Sequence, residues 1–338
     1  MYKRQNLNEE CIILPNIGAN IGEVYYIEPL SLPYEFNVLG PNAILLKTKD
    51  STKFMFTLLQ ADDFQNKLYV SIASSGQPKF NKTELKSIKL LLPKPDEQEK
   101  IGQYFAHIDN LITLHQRKCD KLIQFKAAML QKMFPQNGAD KPEIRFKGFT
   151  DAWEQRKLGE VASNFEYGLN ASAKEFDGKN KYIRITDIDD ESRMFLSDDI
   201  TSPDTDLTLA DKFKLEAGDI LFARTGASVG KTYLYREKDG LVYYAGFLIR
   251  AKINSENDAE FVFQNTLTDS YNSFIRITSQ RSGQPGVNAQ EYQGYNFYVP
   301  NLEEQKAIGT YFRNLDNLIT LHQRKCDKYK SIKAGLIR

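Results

Sequence analysis

The sequence is poor in the residues that build disulfide frameworks, zinc sites and histidine-based catalytic centres. It has three cysteines and three histidines among 338 residues. An odd number of cysteines without a regular spacing argues against a disulfide framework and against zinc. All three histidines lie on the two long helices predicted below, so no Ser/His/Asp catalytic arrangement can be assembled from them. The sequence therefore predicts no metal and no cofactor, and neither a carboxylate cluster nor a Gly-rich cofactor loop supports an enzyme.

Long apolar runs and an excess of charge of one sign are also missing. No run approaches the roughly 20 apolar residues that span a bilayer. The first ten residues, MYKRQNLNEE, lack the apolar core of a secretory signal. We therefore expect a cytoplasmic protein that does not engage a membrane. The formal net charge is +1, which is no global signature of nucleic-acid binding, so binding to DNA would need local basic patches or a partner that shares the phosphate contacts.

A long internal repeat is present instead. Residues 109–121 and 316–328 both read DNLITLHQRKCDK, 207 positions apart. The similarity extends outward, because SGQP recurs at 75–78 and 282–285, and glycines 18 and 22 match glycines 226 and 230. Residues 1–134 therefore resemble residues 209–338 throughout. The counterpart of residues 145–208 is missing from the first copy, so we expect its domain to be incomplete.

Two long helices dominate the predicted secondary structure. Apolar residues recur at heptad spacing over 94–134 and again over 301–338, which is typical of a coiled-coil seam. The seam residues are Ile101, Ile108, His115, Leu122, Ile308, Leu315, His322 and Tyr329. For the two histidines a metal site or a pH switch is conceivable, but a polar residue that sets helix register is the more common role. Cys119 and Cys326 are interpreted as small apolar seam residues.

The predicted fold is α+β, with a pseudo-two-fold repeat of an α/β domain followed by a long helix, the two helices being antiparallel. The expected boundaries are a partial first domain over 1–93, a central helix over 94–134, a linker over 135–144, a second domain over 145–300 and a C-terminal helix over 301–338. The predicted strands are Ile12–Leu14, Val24–Ile27, Ala43–Leu46, Leu68–Ile72, Ile88–Leu92, Tyr182–Ile185, Asp219–Ala223, Lys231–Tyr235, Phe247–Ile253, Phe274–Ile277 and Asn296–Val299. The predicted shorter helices cover Thr52–Gln65 and Ala259–Leu267, and Asp151–Ala162 is expected to contain a short amphipathic helix with Trp153 and Leu158.

The stretch from Gly226 to Thr232 looks like a phosphate-binding loop but has three residues, not four, between its glycine and the Gly-Lys pair. Glu23 occupies the lysine position of the first copy, where it would repel a phosphate. A tight turn between two strands is the better interpretation. The acidic run at 187–191 lacks the glycine and the spacing of a calcium loop, which favours a solvated turn.

Polar loops in both copies are candidate DNA-binding surfaces. Arginine can read guanine and glutamine can read adenine through two hydrogen bonds in the major groove, whereas serine, threonine and lysine suit phosphates. An ordinary polar surface loop remains the alternative. The candidate residues are Arg224, Thr225, Lys231, Arg276, Ser279, Gln280, Arg281 and Gln284 in the second copy, and Ser74, Ser75, Gln77 and Lys79 in the first.

The chain resembles the DNA-specificity (S) subunits of type I restriction–modification systems over essentially its whole length. The segment PEIRFKGFTDAWEQRKLGEVA at 142–162 is similar to the family's entry into a target-recognition domain. VPNLEEQKAIGTYF at 299–312 and LLPKPDEQEKIGQYF at 91–105 are similar to its exits into the long helices. The resemblance implies that each recognition domain reads one half of a bipartite site on double-stranded DNA. It also implies that the helices act as spacers and dock two methyltransferase (modification) subunits, which restriction subunits join.

By this resemblance, methyl transfer and ATP-driven cleavage belong to the partners, and this chain is a non-catalytic subunit. A second hypothesis is a scaffold that does not read DNA, because the first recognition domain is truncated, and that binds modification subunits or another S chain through its helices. A third is an enzyme such as a nuclease or a methyltransferase, which no catalytic motif supports.

Overall fold

The computed structural model describes residues 7, 9–28, 39–72, 78–136, 138–196, 198–280 and 283–338. The chain forms two compact units. Unit 1 comprises Met1–Cys119 together with Thr320–Arg338, and unit 2 comprises Asp120–Ile319. Both units mix helix with sheet, and each contains part of both long helices.

Unit 1 is built on a three-stranded antiparallel sheet. Its elements are β1 (Cys11–Pro15), β2 (Tyr25–Ile27), β3 (Ala43–Leu46), α1 (Thr52–Gln60), α2 (Asp62–Ile72), α3 (Lys82–Ser87) and the first part of α4 (Pro95–Met133). The strand order is β2-β1-β3. Ile12 and Leu14 on β1 are fully buried and pack with Phe64 and Leu68 of α2, so the central strand and one helix face make the core of this unit.

Unit 2 contains the remaining strands and most of the remaining helices. Its strands are β4 (Glu154–Lys157), β5 (Ala162–Tyr167), β6 (Ser172–Glu175), β7 (Lys181–Ile183), β8 (Thr201–Asp204), β9 (Asp219–Ala223), β10 (Thr232–Leu234), β11 (Val242–Tyr244), β12 (Leu248–Ile253) and β13 (Asn296–Val299). Its helices are α5 (Leu158–Val161), α6 (Ala259–Asn265), α7 (Asp269–Thr278), α8 (Ala289–Gln293), the end of α4 and the first part of α9 (Leu302–Leu336).

The strands of unit 2 form two four-stranded sheets and one separate pair. The first sheet has the order β10-β9-β12-β5 and the second has the order β11-β7-β8-β6, while β13 pairs with β4. Strand β9 is buried at every position, because Ile220 and Phe222 pack in one core cluster and Leu221 and Ala223 pack in another on the opposite face of the sheet. The continuous apolar run from Ile220 to Ala223 is therefore typical of a strand that is covered on both faces.

The two long helices run antiparallel in each unit. In unit 1, Asp109 of α4 pairs with Lys333 of α9 at 2.6 Å, and His115 lies next to His322. In unit 2, Lys126 of α4 pairs with Asp316 of α9 at 2.6 Å. As residue numbers increase along α4, the partner residues on α9 decrease in number, so the two helices are antiparallel, as predicted.

Two predicted strands are in fact helical. Leu68–Ile72 belongs to α2, and Phe274–Ile277 belongs to α7. In α7, Thr268 caps the first turn, and Tyr271 and Ile275 are buried four residues apart. This is the spacing of one helix face, and a short apolar run does not distinguish that face from a strand.

The short helix predicted within Asp151–Ala162 is confined to α5, which contains Leu158 but not Trp153. The middle of this segment forms strand β4, which pairs with β13 in antiparallel register from Glu154–Val299 to Lys157–Asn296, and only the single turn of α5 is helical. The predicted strand Ile88–Leu92 is not part of a sheet among the described residues. The first error comes from a pairing partner that lies far away in sequence, and the second from an apolar run that has no partner strand among the described residues.

Within the described part of the chain, none of the helices combines the length and the apolarity that crossing a bilayer requires.

Candidate nucleic-acid interface

The turn between β9 and β10 runs from Arg224 to Gly230 in unit 2. Gly226 and Gly230 have φ values of +76° and +86°, which favour glycine. A Cβ atom on Gly230 would lie 2.6 Å from Cγ2 of Ile275, so a side chain there would collide with α7. The stretch that looks like a phosphate loop is therefore a tight turn between two strands, as its spacing indicates.

A second loop, residues 283–288, is hydrogen-bonded to this turn. The Gly226 amide donates to the Pro285 carbonyl at 3.0 Å, and the Val287 amide donates to the Arg224 carbonyl at 2.9 Å. The Gln284 side chain lies over Gly226, with its Nε2 atom 3.5 Å from where a Cβ atom would be. We call the two segments, 224–230 and 283–288, the paired loops. They bring Arg224, Thr225 and Gln284 to one place.

Buried tyrosines fix the paired loops to the core. Tyr292 donates a hydrogen bond to the Ala223 carbonyl at 2.6 Å, and Tyr271 donates to the Gly230 carbonyl at 3.0 Å. Burial raises the pKa of both phenols, so they stay neutral donors at any physiological pH. The loops are therefore held by rigid aromatic anchors, which suits a recognition surface.

Arg224 is positioned by an aromatic side chain that the sequence reasoning missed. Its guanidinium group lies over the Tyr167 ring at 4.8 Å from the centroid, a cation–π contact. The Arg224 amide donates to the Phe247 carbonyl at 3.1 Å, and Phe247 itself is 63% exposed. Tyr167 ends β5 and Phe247 precedes β12, so only the sheet brings them together. No local sequence signal marks either residue.

Lys231 does not share this surface. Its side chain is 6% exposed, its ammonium group donates to the Ile188 carbonyl at 3.0 Å, and it pairs with Asp190 at 2.6 Å. These contacts hold the loop after β7 against the turn. A buried and paired ammonium is not available to a DNA phosphate, so we remove Lys231 from the candidate set.

The remaining candidates of the second copy lie at the end of α7. Arg276 is exposed on that helix, and Ser279 is its buried C-cap residue. Gln280 is exposed just beyond it, and the Gly286 amide donates to the Ser279 carbonyl at 3.2 Å. The helix end is thereby tied to the second of the paired loops. Arg281, by contrast, lies outside the described residues.

In unit 1 the same loop frame recurs with different side chains. The Phe80 amide donates to the Asn16 carbonyl at 3.1 Å, and Ile17 forms an antiparallel bridge with Lys79. These contacts match those of Val287 with Arg224 and of Thr225 with Gly286, so Asn16 replaces Arg224. Lys79 is exposed at this place. The candidates Ser74, Ser75 and Gln77 lie outside the described residues.

The predicted seam residues divide between the units. Ile101, Ile108, His115, His322 and Tyr329 belong to unit 1, and Leu122, Ile308 and Leu315 belong to unit 2. In unit 1 the Nδ1 atoms of His115 and His322 are 2.8 Å apart, and the His115 ring stacks on Tyr329. Cys119 and Cys326 are buried, which agrees with their interpretation as small apolar residues of the seam.

The acidic run at 187–191 is engaged by its own neighbourhood. Asp187 pairs with Arg184, Asp189 accepts hydrogen bonds from the Glu191 and Ser192 amides, and Asp190 pairs with Lys231. In the residues that the structure describes, no three or more His, Cys, Asp or Glu side chains are grouped as a metal ion requires. The run is therefore part of a structured turn.

Comparison with known proteins places this frame in a family. The sequence profile described as "Type I restriction modification DNA specificity domain" matches residues 1–124 and 150–330. The chain belongs to this family. It is 22% identical over 343 residues to the type I restriction enzyme MjaVIII specificity subunit of Methanocaldococcus jannaschii, covering 98% of this chain and 78% of that protein.

Solved structures agree on the fold of the specificity family. The crystal structure of a type I restriction–modification system S subunit from M. genitalium matches with a TM-score of 0.68 and 16% identity, covering 97% of this chain and 82% of that one. A chain from a structure of the assembly of a type I restriction–modification system matches with a TM-score of 0.52 and 14% identity, covering 100% and 83%. At these identities the likeness concerns fold alone.

Proposed function

We propose that the chain is the DNA-binding specificity subunit of a type I restriction–modification complex. In this proposal it reads a bipartite site on double-stranded DNA, docks methyltransferase subunits and performs no catalysis of its own. The observation that carries the proposal is the meeting of Arg224, Thr225 and Gln284 on the paired loops of unit 2, in a chain of the specificity family. Methyl transfer and cleavage are assigned to the partner subunits.

The chemistry of the paired loops suits a base edge. The Arg224 guanidinium lies over Tyr167, 4.8 Å from the ring centroid, and this contact restricts where its planar set of N–H donors can point. Such a donor set can bind O6 and N7 of guanine, and the amide of Gln284 can bind N6 and N7 of adenine. Each such pair contributes about 1–3 kcal/mol of discrimination between bases.

Neighbouring polar groups suit the DNA backbone. Thr225 is half-buried beside Arg224, and Arg276 and Gln280 are exposed at the end of α7. Hydroxyl, amide and guanidinium groups of this kind bind phosphates and fix the position of a protein on the duplex. We assign base reading to Arg224 and Gln284 and positioning to the others.

Exposed apolar residues on the long helices support the docking of partners. In unit 1, Leu114 of α4 and Leu321 of α9 are 47% and 45% exposed. They occupy the same position of the 13-residue repeat. Two equivalent apolar positions suit two copies of one partner, because a repeated surface offers the same contact twice. The methyltransferase subunit is the partner that we propose for them.

One observation favours a second candidate function, a scaffold that does not read a bipartite site. The sheet of unit 1 has three strands among the described residues, and the matching sheet of unit 2 has four. Asn16 also stands where unit 2 has Arg224. In this alternative the helices bind modification subunits or another S chain, and unit 1 reads no DNA.

Co-purification with the modification subunit followed by sequencing of methylated DNA separates the two candidates. A bipartite methylated motif supports the specificity subunit, whereas binding of the modification subunit without any methylated motif supports the scaffold. Within the same experiment, Arg224→Ala and Gln284→Ala should relax reading of one half-site and leave the other unchanged.

Lys238→Ala is the matched control. Lys238 is an exposed basic residue of unit 2. It follows the C-terminal end of β10, whereas the turn of the paired loops precedes the N-terminal end of that strand. Its replacement removes one positive charge without touching those loops, so the motif should stay the same. If the Arg224 and Gln284 variants also keep both half-sites unaltered, base reading does not belong to the paired loops.

A further inference from the structure

A tight turn in unit 2 exposes a large aromatic side chain beside the paired loops. The turn, residues 245–248, joins β11 to β12 and is closed by a hydrogen bond from the Leu248 amide to the Ala245 carbonyl at 2.8 Å. Phe247 occupies its third position and is 63% exposed. An exposed phenylalanine is informative when it belongs to a larger surface and does not stand alone, so its neighbours decide what it can do.

Phe247 lies opposite Arg224 across the sheet. Strands β12 and β9 pair Leu248 with Ala223, and the Arg224 amide donates to the Phe247 carbonyl at 3.1 Å, so the antiparallel register continues by one residue. Opposite residues of an antiparallel pair project from the same face of the sheet, with Cβ atoms about 4.5–5.5 Å apart. The side chains of Phe247 and Arg224 therefore leave the sheet next to each other.

A second exposed aromatic ring borders the same place. Tyr167, which is 43% exposed, pairs with Ile249 of β12. Ile249 is two residues from Phe247 and hence on the same face of the sheet. The Arg224 guanidinium lies over the Tyr167 ring. The surface around Arg224 thus offers hydrogen-bond donors and apolar area together, the two means by which side chains distinguish base edges in a DNA groove.

The backbone that carries Phe247 is held by the neighbouring chain. The Gly246 amide donates to the Leu169 carbonyl at 2.9 Å. Gly168 lies so close to the turn that a Cβ atom there would be 2.3 Å from the Ala245 carbonyl oxygen. A ring on a backbone fixed in this way can contact a base at a defined position, because little of its conformational freedom is lost on binding.

We propose that Phe247 reads a thymine, its ring packing on the C5-methyl group of that base in the major groove, at the base pair that Arg224 reads or at the adjacent one. The thymine methyl group is the apolar mark of an A·T pair in this groove, and phenylalanine is among the side chains that contact it. Base pairs follow each other about every 3.4 Å, so two side chains about 5 Å apart reach the same pair or neighbouring pairs. The inference rests on the proposed function, because it concerns the same surface of unit 2.

Removal of a single methyl group from the DNA tests this inference. The probes are labelled duplexes of the methylated motif in which one thymine at a time is replaced by uracil, which keeps the hydrogen bonds of the base and lacks only the methyl group. They are titrated with the complex of the full chain and its modification subunit, and binding is followed by fluorescence anisotropy. We expect binding about threefold to fivefold weaker at one thymine of one half-site, the effect of one buried methyl group.

Substitutions in the protein assign the effect to the ring. Phe247→Ala should bind the thymine and uracil duplexes equally, whereas Phe247→Leu, which keeps an apolar side chain, should retain part of the preference. Because the ring is mainly exposed, neither change should unfold the chain. The matched control is Ile144→Ala, at a 38% exposed apolar residue of unit 2 whose amide donates to the Lys132 carbonyl of α4. This variant should keep the preference of the unmodified chain.

Several results would overturn the inference. They are a half-site without thymine, equal binding of every thymine and uracil pair by the unmodified chain, a preference that survives Phe247→Ala, and a preference more than one base pair from the position that Arg224→Ala relaxes. Loss of the modification subunit from the Phe247→Ala complex would do the same, since the ring would then contact protein. In all these cases a half-site relaxed by Arg224→Ala would leave the proposed function standing, whereas an unchanged Arg224→Ala profile would remove both.

Discussion

Unit 1 and unit 2 contain the same three-stranded core in different surroundings. In unit 1, β1 lies between β2 and β3, and in unit 2, β9 lies between β10 and β12. The registers also match, since Ile12 lies opposite Tyr26 as Ile220 lies opposite Leu234. Unit 2 adds a fourth strand, β5, to this sheet and carries a second sheet beside it. The three-stranded core is therefore the part that both units share, and β5 and the second sheet are what unit 2 has in addition among the described residues.

The contacts between the long helices and the cores are likewise repeated. Gly102 of α4 lies against the N-terminus of α1, where a Cβ atom would be 2.5 Å from the Phe54 nitrogen. Gly309 of α9 lies against the N-cap residue of α6, where a Cβ atom would be 2.4 Å from Oδ1 of Asp258. Each long helix therefore approaches a capped helix so closely that only glycine fits.

The largest difference between the units concerns one glutamate. Glu304 of α9 is fully buried, and Arg145 donates two hydrogen bonds to it at 2.7 Å. These bonds are the main reason why the pKa of Arg145 is raised. Glu304→Ala should lower the local free energy of unfolding by about 3 kcal/mol, because it leaves the partly buried guanidinium of Arg145, 13% exposed, without its main partner.

The counterpart in unit 1 is the natural control for this change. Glu97 occupies the same position of α4 but is exposed, so Glu97→Ala should cost less than about 0.5 kcal/mol. Native-state hydrogen exchange at 302–310 and 95–103 measures the two effects separately. Equal losses at both positions would contradict the asymmetry between the units.

A smaller effect, shared by both units, is expected at the close-approach glycines. Gly309→Ala and Gly102→Ala should each lower stability by about 1–3 kcal/mol, because the added methyl group overpacks the helix contact. Alanine is intrinsically favoured over glycine inside a helix by about 0.5–1 kcal/mol. A loss of stability on substitution would therefore show that the close contact outweighs this preference. The same exchange measurement resolves the two sites.

Gly335→Ala provides the comparison within α9. Nothing lies within 4 Å of a Cβ atom at Gly335, so this change should stabilise the helix slightly or leave it unchanged. A loss of stability at Gly335 equal to that at Gly309 would mean that close approach is not the cause.

The smallest predicted effect is a pH dependence confined to unit 1. Burial lowers the pKa of both His115 and His322, and Lys118 and Lys325 act in the same direction. Because the folded pKa lies below the value of about 6.5 for an unfolded histidine, the unfolded chain binds more protons at acidic pH. The stability of unit 1 should therefore be complete above about pH 6.5 and fall as the pH drops below it.

Hydrogen exchange of the α4 amides around residue 115, recorded between pH 5 and pH 8, measures this dependence of local stability on pH. His115→Gln should flatten it, and His107→Gln, at an exposed histidine of the same helix, should not. A steep dependence that survives His115→Gln would assign the titration to other groups.

The repeat and the long helices could be predicted from sequence because their signals are periodic and extended. The observed helices, Pro95–Met133 and Leu302–Leu336, fall within one to two residues of the prediction. Strands β3, β9 and β13 match their predicted bounds, since each is a short apolar run bounded by turn residues or proline.

The errors arose where long-range contacts decide the structure. Strand β4 forms because it pairs with β13, about 140 positions later, and no local pattern reveals that partner. The burial of Lys231 follows from the carbonyl of Ile188 on another loop. Tyr167 reaches Arg224 only through the order of strands in the sheet. The candidate loops were therefore visible in sequence, but their arrangement was not.

Reading of DNA by unit 2 is tested most directly by mismatch binding. The complex of this chain with its modification subunit is titrated with duplexes that carry each single base change of the methylated motif. Arg224→Ala should remove about 1–3 kcal/mol of discrimination at one base pair of one half-site, and Lys238→Ala should preserve the whole profile. An Arg224→Ala profile that keeps discrimination at every position of both half-sites would contradict base reading by the paired loops.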